Sequence, residues 1–224
     1  MSNARGFVQQ EGVARTTDGN LIGIRITRDG STIAVPWVQA IIMEGLGYSA
    51  GYGSAANSAT TVGTFGAGGV DLDEFDLLQT LPTNASVGVI PIYFKPVLEV
   101  IGTILATDVL LAFGSGGVIS NGISVTPANL KPDSDNASVC TIGGLGDDGG
   151  TAMTVGTYIY REGGTHLTGV AGTGQTLMPE WSIASAGYAP VIVGASRQVA
   201  GFASGQASTG FITYQWLELP ADAL

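Results

Sequence analysis

Apolar residues are unevenly spread along this chain. The densest run is Val87–Phe113, VGVIPIYFKPVLEVIGTILATDVLLAF. It predicts strands over 87–95 and 97–113, the second broken near Gly102-Thr103. A helix over 97–113 competes, because Glu99, Thr103 and Thr107 would form one polar stripe. The β-branched content favours strands. A membrane-spanning helix needs about 20 uncharged apolar residues. Here Lys95, Glu99 and Asp108 interrupt the run, and Pro91 and Pro96 would break a helix at its start. The run is therefore expected to form a core.

Shorter alternating segments surround it. Ile22, Ile24 and Ile26 alternate with Gly23, Arg25 and Thr27, and the turn Arg28–Ser31 leads into a return strand at Thr32–Trp37. That predicts a hairpin over 20–37. Val38–Leu46 suits a helical turn or a strand. Residues 47–69 read as a long loop of small residues with a strand around Thr60–Phe65. In 71–81, Leu72, Phe75 and Leu78 would share a helical face, and Phe75, Leu77 and Gln79 a strand face. Asn121-Gly122 predicts a hairpin within 118–125. Residues 127–138 read as loop, and 139–150 as a short strand followed by a glycine-rich turn. A strand should follow, ending at Arg161-Glu162, then another over 190–194. The close, GFITYQWLELP, alternates Ile212, Tyr214, Trp216 and Glu218 with Phe211, Thr213, Gln215 and Leu217. About eight to ten short strands with Gly, Ser, Asn and Pro turns predict an all-β fold, an antiparallel β-sandwich of the jelly-roll type with long glycine-rich loops. Residues 1–19 are expected to form an extended N-terminal arm, and residues 20–224 a single sandwich domain.

Composition narrows the function. The 224 residues include 35 glycines and only 12% charged residues, about half the usual share. Such a surface suits packing against copies of the same chain or exposure to the extracellular medium. The net charge is −10, which argues against a general nucleic-acid binder. The charge is uneven, +1 over residues 1–30 and −11 over the remainder. Any nucleic-acid contact is thus expected only through the N-terminal arm, and no membrane contact is expected. Cys140 is the only cysteine, so no intrachain disulfide forms. The first residues, MSNARGFVQQEG, lack the apolar stretch of a secretory signal.

Motifs that carry chemistry are weak. Gly169–Thr176 has phosphate-loop spacing, but Gln175 stands where the lysine is needed. Gly144–Gly149 fits a dinucleotide fingerprint, but Asp147 and Asp148 would repel a pyrophosphate. The acids Asp71, Asp73, Glu74 and Asp76, the group Asp133, Asp135 and Asn136, and the pair Asp147-Asp148 could each offer oxygen ligands to calcium. None has EF-hand spacing, and solvated acidic loops are the expectation. His166, the only histidine, has no assignable partner, and one His with one Cys excludes nearly all His/Cys zinc sites. Cys140 is expected in a buried strand. The aromatics Trp37, Trp181, Trp216, Tyr48, Tyr52, Tyr158 and Tyr160 could form a sugar platform, but core or interface packing is the commoner use. No catalytic residue, cofactor or metal site is assigned, and no enzyme is expected.

One resemblance extends this reading. Phe75-Asp76-Leu77, the stretch LPTNASVGVIPIYFKPVLEV and the closing TGFITYQWLELP resemble virion structural proteins of bacteriophages. The matching residues are Pro82, Asn84, Val89, Ile90 and Pro91, then Trp216, Glu218, Leu219 and Pro220. The resemblance implies a capsid or capsid-decorating jelly roll located in the virion. Its partners would be copies of itself, as a trimer or pentamer, and other virion proteins. A carbohydrate-binding or adhesive sandwich on a tail, fibre or cell surface is the alternative.

Overall fold

The structure, a computed structural model, describes residues 36–53, 59–60, 65–66, 69–70, 72, 74–100, 106–145, 147–165, 178–204 and 209–224. The expected arm and nearly all of the expected hairpin over 20–37, the middle of the strand around Thr60–Phe65, the loop Gly169–Thr176 and His166 lie outside these residues.

A short helix, α1 (Trp37–Met43), precedes β1 (Gly47–Tyr52), β2 (Ala59–Thr60), β3 (Phe65–Gly66), β4 (Gly69–Val70) and β5 (Leu77–Thr80). The long strands β6 (Val87–Val100) and β7 (Ala106–Ser115) follow, then β8 (Val118–Ser120), β9 (Ile123–Val125), β10 (Ala128–Asn129), β11 (Thr141–Gly144) and β12 (Asp147–Thr151). The chain closes with β13 (Thr154–Thr165), β14 (Trp181–Ser182), α2 (Ile183–Ala186), β15 (Ile192–Val193), β16 (Arg197–Ser204) and β17 (Thr209–Pro220).

Two antiparallel sheets dominate. The first runs β10-β1-β17-β6-β14, with β15 also on β6 and β2 also on β17; the second runs β13-β7-β16-β5-β11-β9. Along the chain, β1, β6, β14 and β17 fall in the first sheet, and β5, β7, β13 and β16 in the second. Only β7 to β13 stays within one sheet; every other step among these eight crosses between sheets.

The sheets pack face to face as a sandwich, and its interior is filled. Tyr48, Phe94, Ile212, Tyr214 and Trp216 from the first sheet meet Leu77, Val109, Leu111, Ile142 and Val199 from the second. Tyr214 and Trp216 stack at 5.2 Å between ring centroids. Each large side chain buried this completely contributes about 1.5–3 kcal/mol.

Both outer faces are covered as well. Helix α1 lays Ile41 against Ile90, Ile92, Leu217 and Leu219. On the other side, Phe75 and Met153 cover Leu78, Leu110, Ala112, Ala200 and Phe202. This double burial explains the dense run. Val109 and Leu111 point into the sandwich while Leu110 and Ala112 point outward, and all four are buried. Strands buried on both faces lose the simple alternation.

Several expectations need correction. The first strand of the dense run continues through Pro96 to Val100. Neither Pro91 nor Pro96 falls where β14 or β15 pairs with β6, at 93–94 and 88–89, so the missing N–H interrupts no ladder on that side. A bulge at Ile92 shifts the phase, because Pro91 pairs with Trp216 and Tyr93 with Gln215. The second part is strand from Ala106, the reading its β-branched content favoured. Val38–Leu46 is mainly helical. Residues 47–52 are not loop but a strand between β10 and β17. Asn121 adopts φ +52°, yet β8 and β9 do not form a hairpin, because β8 pairs with β12 and β9 with β11. Strand β16 was not anticipated, although it sits centrally in the second sheet.

Candidate functional site

The chain folds a buried carboxylate into one end of the sandwich. Trp216 points inward on β17, and Glu218, two residues on, lies on the same side and is 4% exposed. Its Oε1 accepts from Ser138 Oγ at 2.5 Å and Trp216 Nε1 at 2.8 Å, and its Oε2 from the Val139 N–H at 3.0 Å. All three donors are neutral, and among the described residues no cation pairs with Glu218.

Glu218 thereby fixes the loop that leads into β11. Other bonds tie the same loop to the end of α1. The Asn129 amide donates to the carbonyls of Gly45 at 2.8 Å and Asn136 at 3.0 Å, and Asn136 donates to the Glu44 carbonyl at 3.3 Å. The Tyr48 hydroxyl donates to the Ala137 carbonyl at 3.3 Å. Burial, and then the Glu218 charge, push the Tyr48 hydroxyl up to about 12. The Cys140 thiol is also pushed up, first by burial and then by Glu218. A thiol held protonated is a poor nucleophile and a poor metal ligand.

An open pocket of about 450 Å³ lies over this floor. Leu46, Val87, Val139, Leu219 and Pro220 form apolar walls, and Asp135 stands among the lining residues. Pockets of this volume suit a small ligand or a few inserted side chains. Apolar walls over an uncompensated negative charge favour a group that is both apolar and cationic.

A second buried acid, Asp76, lies nearer the other end of β11. Its Oδ2 accepts from the Ala203 N–H at 2.6 Å and its Oδ1 from the Tyr52 hydroxyl at 3.5 Å. Burial, followed by the Asp76 charge, raises Tyr52 well above its ordinary value. Asp76 is fully enclosed, so it serves the fold and offers nothing to a ligand.

The other sequence candidates separate. Asp76 and Glu74 are buried, which corrects the expectation of a solvated acidic loop there; Asp71 and Asp73 lie outside the described residues. Asp133 and Asp135 are exposed as expected. Among the described residues, no three His, Cys, Asp or Glu side chains gather as a metal site would require. Gly144 ends β11 and Asp147–Gly149 open β12 rather than forming the expected turn, and no helix follows β12 directly. Cys140 is buried, but just before β11 rather than within a strand. Of the aromatics, Tyr48, Tyr52, Trp181 and Trp216 are core residues. Tyr158 lies opposite Ala112 on the outer face, whereas Tyr160 packs against the sandwich interior. No shared sugar platform forms from them.

The sequence reading missed Glu218 as a site residue, although it noted the closing Glu-Leu-Pro. Its burial was legible only as a phase: it follows Ile212, Tyr214 and Trp216 on the inward side. Among the described residues, no helix is long and apolar enough to cross a membrane. No model of a known protein family matches the chain, and no curated protein matches it.

Proposed function

We propose that this chain is a structural protein of a virus particle, a jelly roll that assembles with copies of itself as a shell or decoration protein in the virion. The observation that carries the reading is the strand order. The eight strands β1, β5, β6, β7, β13, β14, β16 and β17 divide as β1-β17-β6-β14 and β13-β7-β16-β5, the interleaving expected of two Greek keys wrapped into a double sheet.

Jelly rolls serve viral shells, lectins and cupins alike, so the fold alone does not choose among them. Among the described residues, large side chains from both sheets fill the space between them, which directs the reading to the surface. That surface carries few charges and several large apolar side chains, among them Trp37 at 48% exposure, Val139 at 54% and Tyr188 at 53%. Exposed apolar groups on a chain this poor in charge suit contacts between copies. The partners on this reading are further copies and other virion proteins.

The test is sedimentation of the full-length protein over a concentration series, with electron microscopy of the material formed. Closed oligomers or particles are expected. A stable monomer that joins nothing at high concentration would overturn the reading.

A further inference from the structure

The Glu218 pocket joins a cavity to a buried charge. It is open, about 450 Å³ in volume, with apolar walls at Leu46, Val87, Val139 and Leu219. Glu218, only 4% exposed, lines it. A carboxylate has about four lone-pair directions. Three are occupied here. Oε1 accepts from both Ser138 Oγ and Trp216 Nε1, and Oε2 accepts from the Val139 N–H. Oε1 is therefore full, and Oε2 has capacity for one more donor.

Two further oxygens line the same pocket. The Tyr48 hydroxyl donates its proton to the Ala137 carbonyl at 3.3 Å, so its oxygen is left to accept. Burial, and then the Glu218 charge, push that hydroxyl up to about 12, so it keeps its proton at neutral pH. Asp135 adds an exposed carboxylate at the rim.

We propose that this pocket binds a primary alkylammonium, its head donating to Glu218 Oε2 and its aliphatic stem lying along the apolar walls. The donor pattern selects the head. An ammonium carries three N–H donors at one point, and Glu218, Tyr48 and Asp135 supply acceptors around the cavity. A guanidinium prefers to grip both oxygens of a carboxylate as a fork, and Oε1 has no direction left for the second prong. A quaternary ammonium has no N–H and relies on aromatic faces. Among the described residues, Tyr48 is the one aromatic lining the pocket. The walls select the stem. A chain of about four methylenes covers apolar surface while its charged head reaches a polar group, as a lysine side chain does. A free alkylamine and the lysine side chain of a polypeptide share this chemistry.

Equilibrium dialysis of the full-length protein against radiolabelled n-pentylammonium tests the site. Dialysis reads a monomer and an assembly alike, so its outcome is separate from that of sedimentation. Saturable binding is expected. Nα-acetyl-lysine N-methylamide should compete, and whichever of the two binds more tightly names the source. Competition by n-pentylguanidinium and tetramethylammonium should be several-fold weaker. Glu218→Gln should weaken binding about tenfold or more, and Asp135→Asn, at an exposed position, about threefold. An alkylammonium with a photoreactive diazirine in its stem should label Val87, Val139 or Leu219, read by mass spectrometry, with no variant needed. No saturable binding of either ammonium, equal competition by the guanidinium, or labelling confined to another surface overturns the proposal. Unchanged affinity in a folded Glu218→Gln protein overturns it too. If that variant does not fold, the labelling and the guanidinium comparison decide.

Discussion

Asp76 and Glu218 are two buried acids doing related work at opposite ends of β11. Asp76 receives donors from β16 and β1 and so links the two sheets at the end where the chain leaves β11. Glu218 receives donors from the loop that enters β11 and links it to β17. Each also raises a tyrosine on β1, Tyr52 or Tyr48, which are inward residues of that one strand. The difference is access to water. The donors on Asp76 are enclosed, whereas Val139 is exposed and Ser138 half-buried. A buried donor that loses its acceptor costs about 1–3 kcal/mol, and a donor that can turn to water costs less. The same chemistry is thus expected to be essential at one end and adjustable at the other.

The sharpest break of that comparison is Asp76→Ala. It strands the Ala203 N–H and the Tyr52 hydroxyl away from water. A loss of about 3–5 kcal/mol is expected, or roughly 10 °C in midpoint for a chain of this size. Chemical and thermal denaturation of the variant beside the wild type measure it. A loss under about 1 kcal/mol would mean that Asp76 carries little of the inter-sheet link.

Glu218→Ala should cost less, about 1–2 kcal/mol, because only Trp216 Nε1 stays buried without its acceptor. Its effect should be local. The loop before β11 would loosen, so the Cys140 thiol should react faster with a disulfide reagent and the Val139 and Cys140 amides should exchange faster. Equal protection in both proteins would show that the Asn129 and Asn136 bonds hold the loop unaided. Tyr52→Phe comes next, at about 1 kcal/mol. The 3.5 Å bond it removes is long, and Asp76 keeps its bond to the Ala203 N–H.

This comparison was only partly legible in the sequence. Inward alternation along β17 was visible, because Ile212, Tyr214 and Trp216 alternate with the polar Thr213 and Gln215. The burial of Asp76 was not, because its donors come from residues 24 and 127 positions away, and an acidic run looks solvated until its partners are known. Strands β1 and β16 were hidden by their small residues. A glycine such as Gly51 signals loop by composition. Here it is required by close strand approach, since a Cβ would come within 2.3 Å of the Ile212 carbonyl oxygen. Large neighbours supply the packing that the strand itself lacks, and no local pattern records them. The expected Asn121-Gly122 hairpin failed for a related reason. The turn conformation is local, but which sheet each flanking strand joins is decided by distant partners.

The smallest expected effect is alkaline and separates the two tyrosines. A tyrosine whose folded value lies above its ordinary value of 10 contributes stability that is complete below pH 10. That contribution fades as pH rises, because the unfolded chain ionises first. For Tyr48 the fading runs from pH 10 to about 12. For Tyr52, raised well above its ordinary value, it begins at the same pH. Tyr48→Phe and Tyr52→Phe should each lose less stability than the wild type between pH 10 and pH 12, read as the slope of denaturation midpoint against pH. Glu218→Gln then distinguishes the pairs. Removing that charge should lower the tyrosinate titration of Tyr48 and leave that of Tyr52 where it was, each followed by the assigned NMR signal of its own ring. If both titrations move together, the two acids do not act as separate local links, and the division between an enclosed end and an open end of β11 falls.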